Sequence, residues 1–130
     1  MRSIQLKFFV LFFSFLVIFI PLQSTAQDFD SGKKVYRKCK ACHTIASGAK
    51  HRVGPNLYKV IDRKAGSAKG YRYSKSMKSS EIIWNKENLS LYLINPRKFI
   101  KGTKMAFAGL KKETDITNVI YYINEMSKKE

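Results

Sequence analysis

Cysteine is scarce in this chain. Only Cys39 and Cys42 occur among 130 residues, so no disulfide framework can staple the fold. Histidine is equally rare, with His43 and His51 alone, eight residues apart. A structural zinc site asks for four protein ligands, and the sequence offers no second cysteine pair to complete one. Strand-like alternation is weak throughout, so no βαβ context supports a thioredoxin-like reading of the cysteines. There is no internal repeat, and no low-complexity tract beyond the N-terminal apolar run. Acidic residues are few: 9 Asp and Glu stand against 25 Lys and Arg, a formal net charge of +16. Such a field selects acidic partners or an anionic membrane surface. Nucleic acid is the third possibility, but no nucleic-acid-binding motif accompanies the charge.

What the two cysteines do have is their spacing. Residues 39 to 43 read Cys39-Lys40-Ala41-Cys42-His43, the attachment signature of a c-type haem. Two cysteines three apart in a helical turn lie on one side of it. Both sulfurs can then form thioether bonds to the two vinyl groups of one haem. His43 follows directly and is held against one face of the iron, where imidazole is a standard proximal ligand. Six-coordinate iron asks for a second ligand on the opposite face. Met77, Met105, Met126, His51 and the lysines are candidates, and an open position is the alternative. Met126 sits on an apolar helical stripe and reads as core. His51 follows His43 too closely to reach the far face easily.

The first 26 residues read as a segment outside the fold. Arg2 and Lys7 give a basic start, and Phe8 to Ile20 is apolar except for Ser14. Pro21 breaks the run, and Ser24-Thr25-Ala26 supplies small residues for a cleavage site. This is the pattern of a secretory signal peptide. A helix of 13 residues spans only about 20 Å, short of the roughly 30 Å hydrocarbon core. An uncleaved membrane anchor is the competing reading. Removal of residues 1–26 would leave one small domain, 27–130, still strongly basic because only Arg2 and Lys7 are lost. A chain this short builds a modest core, so a covalent haem would supply much of its apolar interior.

Within that domain the periodicity predicts a first helix over Asp28–Cys42, capped by Asp30 or Ser31, with Val35 and Tyr36 as its contacts. Residues 44 to 83 are loop-like, which suits a segment wrapped around a large cofactor. A short helix is expected over Lys86–Leu93, stopped at Asn95-Pro96. Residues 97–112 read as irregular. The clearest helix follows Thr114 as N-cap, with Ile116, Val119, Ile120, Ile123 and Met126 at helical spacing. The expected fold is all-α, three to five helices with long loops around one haem.

Together these segments resemble class I cytochromes c, the mitochondrial type and its bacterial periplasmic relatives. The run from Asn95 through Met105 to Gly109 resembles their methionine-ligand loop. Gly54-Pro55-Asn56-Leu57 resembles the loop after the proximal histidine, and Tyr71 to Ser74 with Trp84 resembles the propionate-side segment. The resemblance implies one covalent haem c on Cys39 and Cys42, with iron held by His43 and Met105. It implies that Pro55 supports His43, that Tyr73 and Trp84 meet a haem propionate with Arg63 nearby, and that Tyr92 lies beside the Met105 sulfur. Thr103 and Gly102 suit the tight turn before Met105. Two departures stand out. Tyr36 lies three residues before Cys39, where the mitochondrial pattern has its aromatic four before, which implies a first helix shortened by one residue. Met77 replaces a polar pocket residue.

The function implied is one-electron transport without catalysis by a soluble monomer. It would shuttle from a cytochrome bc complex to cytochrome c oxidase or other periplasmic reductases. Docking on their acidic surfaces would fall to Lys38, Lys50, Arg97, Lys98, Lys104, Lys111 and Lys112, with peripheral contact to anionic membrane. A haem peroxidase or small-ligand binder with a weak Met105 bond, and a membrane-anchored electron-transfer subunit, are the alternatives.

Overall fold

Asp28 begins the first helix and ties it to the last. Its carboxylate accepts the Ser31 N–H at 2.7 Å, and its own N–H donates to Asn118 Oδ1 at 3.0 Å. In the computed structural model, which describes residues 26–129, five helices follow one another. They are α1 (Phe29–Tyr36), α2 (Lys75–Lys78), α3 (Lys86–Ile94), α4 (Pro96–Phe99) and α5 (Glu113–Met126). No strand occurs among the described residues, only an isolated antiparallel bridge between Lys64 and Ile83. The expected signal segment lies outside the described residues, and no described helix is long and apolar enough to cross a membrane.

The core is built on the α1–α5 crossing. Ile116, Val119, Ile120 and Ile123 of α5 are buried, Val119 completely. Tyr122 stacks at 5.0 Å on Phe29 and 5.2 Å on Tyr36, at tilted angles that aromatic pairs prefer. Gly32 makes the close approach possible, since a Cβ there would overlap the Asn118 carbonyl oxygen and crowd Tyr122 Cβ.

Three expectations are corrected here. The first helix ends at Tyr36, not Cys42, and its cap is Asp28 rather than Asp30 or Ser31. Residues 37–42 continue as turns, with Cys42 and His43 N–H both bonded to Cys39 O. The last helix starts one residue before Thr114 and has no side-chain cap. Glu113 and Asp115 in its first turn complement the helix dipole instead. The third correction is α4. Asn95 is extended and ends α3, then caps a new turn by accepting the Lys98 N–H at 3.1 Å, with Pro96 at the first helical position, where its missing N–H costs nothing.

The place of Tyr36 three residues before Cys39 has a visible consequence. From there Tyr36 packs on Tyr122 beside Phe29.

The long loops are held by polar side chains. Asn56 is buried; its Nδ2 donates to Ala46 O at 2.9 Å and Ala49 O at 2.8 Å, and its Oδ1 accepts the Tyr58 N–H at 2.6 Å. His51 Nδ1 accepts the Asn56 N–H, so its Nε2 carries the proton and donates to Lys69 O, both at 2.9 Å. Asn56→Leu keeps the branched shape and heavy-atom count and removes three hydrogen bonds at a buried site. It is expected to destabilise the haem-loaded protein by about 3 kcal/mol, at roughly 1 kcal/mol each. Chemical denaturation reads this, and a loss below about 1 kcal/mol would mean the loop is held elsewhere.

Candidate haem site

The turn after α1 presents the motif. Cys39 and Cys42 are free thiols, Cys39 half-buried and Cys42 exposed. Burial is the main cause that pushes the Cys39 thiol up to about 11, with Cys42 adding to it and Lys38 opposing. A thiol so placed stays protonated at neutral pH.

His43 is fixed by two neighbours. Its Nδ1 lies 2.7 Å from the Pro55 carbonyl. A carbonyl only accepts, so Nδ1 carries the proton and Nε2 keeps the lone pair. Gly54 lies against the ring so closely that a Cβ would overlap Cε1, Nδ1 and Nε2. Burial holds the imidazole below its ordinary pKa, while the Pro55 bond pulls the other way. The neutral ring is the form that can donate a lone pair to a metal. The Tyr36 hydroxyl approaches the His43 carbonyl at 3.4 Å.

On the Met105 side, α3 and the following loop meet. The Tyr92 hydroxyl lies 2.8 Å from Thr103 Oγ1, which also accepts the Met105 N–H at 3.4 Å. Tyr92 thus reaches the methionine loop through Thr103, and no Tyr92–Met105 hydrogen bond occurs among the described residues. Burial raises the Tyr92 pKa, and Thr103 lowers it. Met105 is half-buried at the edge of the core, whereas Met77 is fully inside it.

The third group lies below. The Arg63 guanidinium donates to Asn56 O at 3.1 Å and Tyr58 O at 3.2 Å. Burial lowers the Arg63 pKa and raises that of Tyr73; each partly offsets the other. The Trp84 N–H bonds Arg63 O at 2.9 Å, and the buried indole tilts on Tyr92 at 4.9 Å. Arg63, Trp84 and Tyr92 are therefore connected, through the Trp84 backbone N–H and its indole.

The seven expected docking cations are all exposed, and none is ion-paired among the described residues. Lys104 has a second task, donating to Arg72 O at 3.1 Å and so joining the methionine loop to the 71–74 segment. Sequence reasoning missed Asn56 as the organiser of the loop behind His43.

Among the described residues no cluster of three His, Cys, Asp or Glu could hold a bare metal ion. A family model described as Cytochrome c matches residues 29–127. The chain belongs to the cytochrome c family. Cytochrome c2 of Afifella marina is 50% identical over 96 residues, 72% of this chain and 77% of that protein. Cytochrome c of Theileria parva is 48% identical over 103 residues, 78% of this chain and 89% of that protein. The solved structure of cytochrome cH from Methylobacterium extorquens superposes with a TM-score of 0.71 at 36% identity, over 75% of this chain and 98% of that one.

This cytochrome is an electron-transfer protein, not an enzyme, and its cofactor is a covalent c-type haem with iron, for which Cys39 and Cys42 fit the attachment motif. The residues present fit that group. The two thiols share one turn, His43 has its free lone pair on a glycine-cleared face, and Met105 offers a half-buried thioether.

Proposed function

We propose that this cytochrome is an exported, soluble one-electron carrier whose iron is bound by His43 and Met105. Residues 1–26 act as a signal peptide, and residues 27–130 work in the periplasm. The carrier takes electrons from a quinol-oxidising cytochrome bc complex and delivers them to a terminal oxidase. The observation that carries the reading is the His43 seat, where Pro55 takes the Nδ1 proton and Gly54 clears the ring.

The haem supplies a one-electron couple, and the chain keeps that couple in a constant environment. Pro55 and Gly54 orient His43, so the ligand need not turn when charge changes. Thr103, tied to Tyr92, holds the Met105 loop against the core. A soft, neutral thioether favours the reduced state and raises the potential. Tyr73 and Trp84, with Arg63 nearby, would receive the propionates. Were His43 and Met105 both to hold the iron, no position would remain open to a substrate, which favours transport over peroxidase chemistry.

The visible spectrum of the oxidised, haem-loaded protein tests this. A weak near-red band from thioether-to-iron charge transfer is expected. Its absence, with a high-spin ferric spectrum, would move the protein to the open-site class.

Docking follows from charge. Lys38, Lys50, Arg97, Lys98, Lys104, Lys111 and Lys112 steer the carrier onto acidic partners. Reversal of two of them, Lys98→Glu with Lys112→Glu, is expected to slow reduction or oxidation by a bc complex or oxidase about tenfold at low salt. It should also flatten the ionic-strength dependence. Stopped-flow rates at two salt concentrations decide, and unchanged rates would sink the docking assignment.

A further inference from the structure

A concave surface lies beside the motif turn. It is a groove of about 610 Å³ between the end of α1 and the 44–52 loop. Its lining includes neither cysteine nor Met105, Trp84 or Tyr92, so it is not the haem crevice. Its floor is apolar, formed by Ile45, Ala46 and Ala49, and its cations are Arg37, Lys40 and Arg52. No carboxylate lines it. The surrounding sequence reinforces that sign: residues 31–61 hold eight Lys and Arg and no Asp or Glu.

One cation is fixed in advance. Arg52 donates from its guanidinium to Lys40 O at 2.9 Å, and its backbone N–H donates to Gly54 O at 3.0 Å. The planar group is held at the groove with further N–H donors still to give. A preorganised guanidinium loses little on pairing with a carboxylate. The floor is equally settled, because Ala46 and Ala49 are tied by their carbonyls to buried Asn56. None of these three cations belongs to the set proposed to steer redox partners.

We infer that this groove binds a small amphipathic anion, a carboxylate on a compact apolar body, with the head on Arg52, Arg37 and Lys40 and the body on Ile45, Ala46 and Ala49. The size suits it, since ligand sites of about 300–1,000 Å³ take bodies of this class. A bare anion would leave the apolar floor unused, and a neutral body would leave the guanidinium unpaired. His43 also lines the groove, so an occupant would lie against the proposed iron ligand.

The test uses the reduced, haem-loaded full protein and 2-naphthoate as probe, followed by amide NMR. At roughly 0.3 kcal/mol per heavy atom the probe should bind in the millimolar range. Saturable shifts are expected at Ile45, Ala46, Ala49 and Arg52. Inorganic phosphate and neutral 2-naphthol should each bind at least tenfold more weakly. Arg37→Gln with Lys40→Gln should weaken naphthoate at least tenfold, while Lys98→Gln leaves it unchanged. Arg37 and Lys40 are exposed, so the double variant folds, and its unperturbed spectrum elsewhere checks that. Non-saturating shifts, shifts centred on another face, or equal affinity in the double variant would each overturn the site.

Discussion

Met105→Ala is expected to lower the reduction potential by on the order of a few hundred millivolts, within the roughly 0.8 V over which axial ligands move haem proteins. The near-red band should vanish, and the reduced protein should gain carbon monoxide binding that the parent lacks. The expectation rests on what the substitution leaves behind. The Tyr92–Thr103 hydrogen bond at 2.8 Å does not involve the Met105 side chain, and Lys104 still spans to Arg72 O. The loop therefore stays closed while one thioether is removed, so the effect belongs to the ligand and not to unfolding. Redox titration beside a denaturation curve separates the two. A potential within about 59 mV of the parent, one tenfold step for one electron, would mean that Met105 is not on the iron.

Gly32→Ala should produce a large loss of stability for a single added methyl. In an exposed helix interior the change would gain about 1 kcal/mol. Here the new Cβ overlaps the Asn118 carbonyl, a backbone atom that cannot rotate aside. The helices must separate, which loosens the Phe29 and Tyr36 contacts with Tyr122 and strains the Asp28–Asn118 bond. Overpacking of this kind costs about 3 kcal/mol or more, so about 2 kcal/mol of net loss is expected after the propensity gain. For a domain near 100 residues that lowers Tm by roughly 10 °C. A thermal scan that shows no change would place the α1–α5 contact elsewhere on the helices.

The parts of the fold legible in the sequence were those written locally. The Cys39–His43 spacing needed no tertiary context. The α5 stripe of Ile116, Val119, Ile120 and Ile123 is buried as its period implies, and α3 stops at the expected Asn95-Pro96 boundary, one residue past the expected Leu93. The first helix was misjudged at both ends because Asp28, Asp30 and Ser31 are equivalent caps by type. What selects Asp28 is its bond to Asn118, 90 residues away. The α4 turn was readable in retrospect from an Asn-Pro pair, a cap followed by the residue favoured at the first helical position. Asn56 left no such trace, since its partners are the main-chain carbonyls of two alanines. The basic groove was hidden for a similar reason: its lining spans residues 36–52 and converges only when the loop folds back.

The α1–α5 clamp also sets an order of events in biosynthesis. Its two helices bracket nearly the whole chain, and α5 is the last helix to be synthesised. Until α5 arrives, Phe29 and Tyr36 have no Tyr122 to pack against, and long-range closure of this kind is slow relative to local turns. The motif turn at residues 39–43 is meanwhile local and leaves the ribosome early. The motif turn can therefore form before the clamp closes, and Cys42 is still exposed once it has closed.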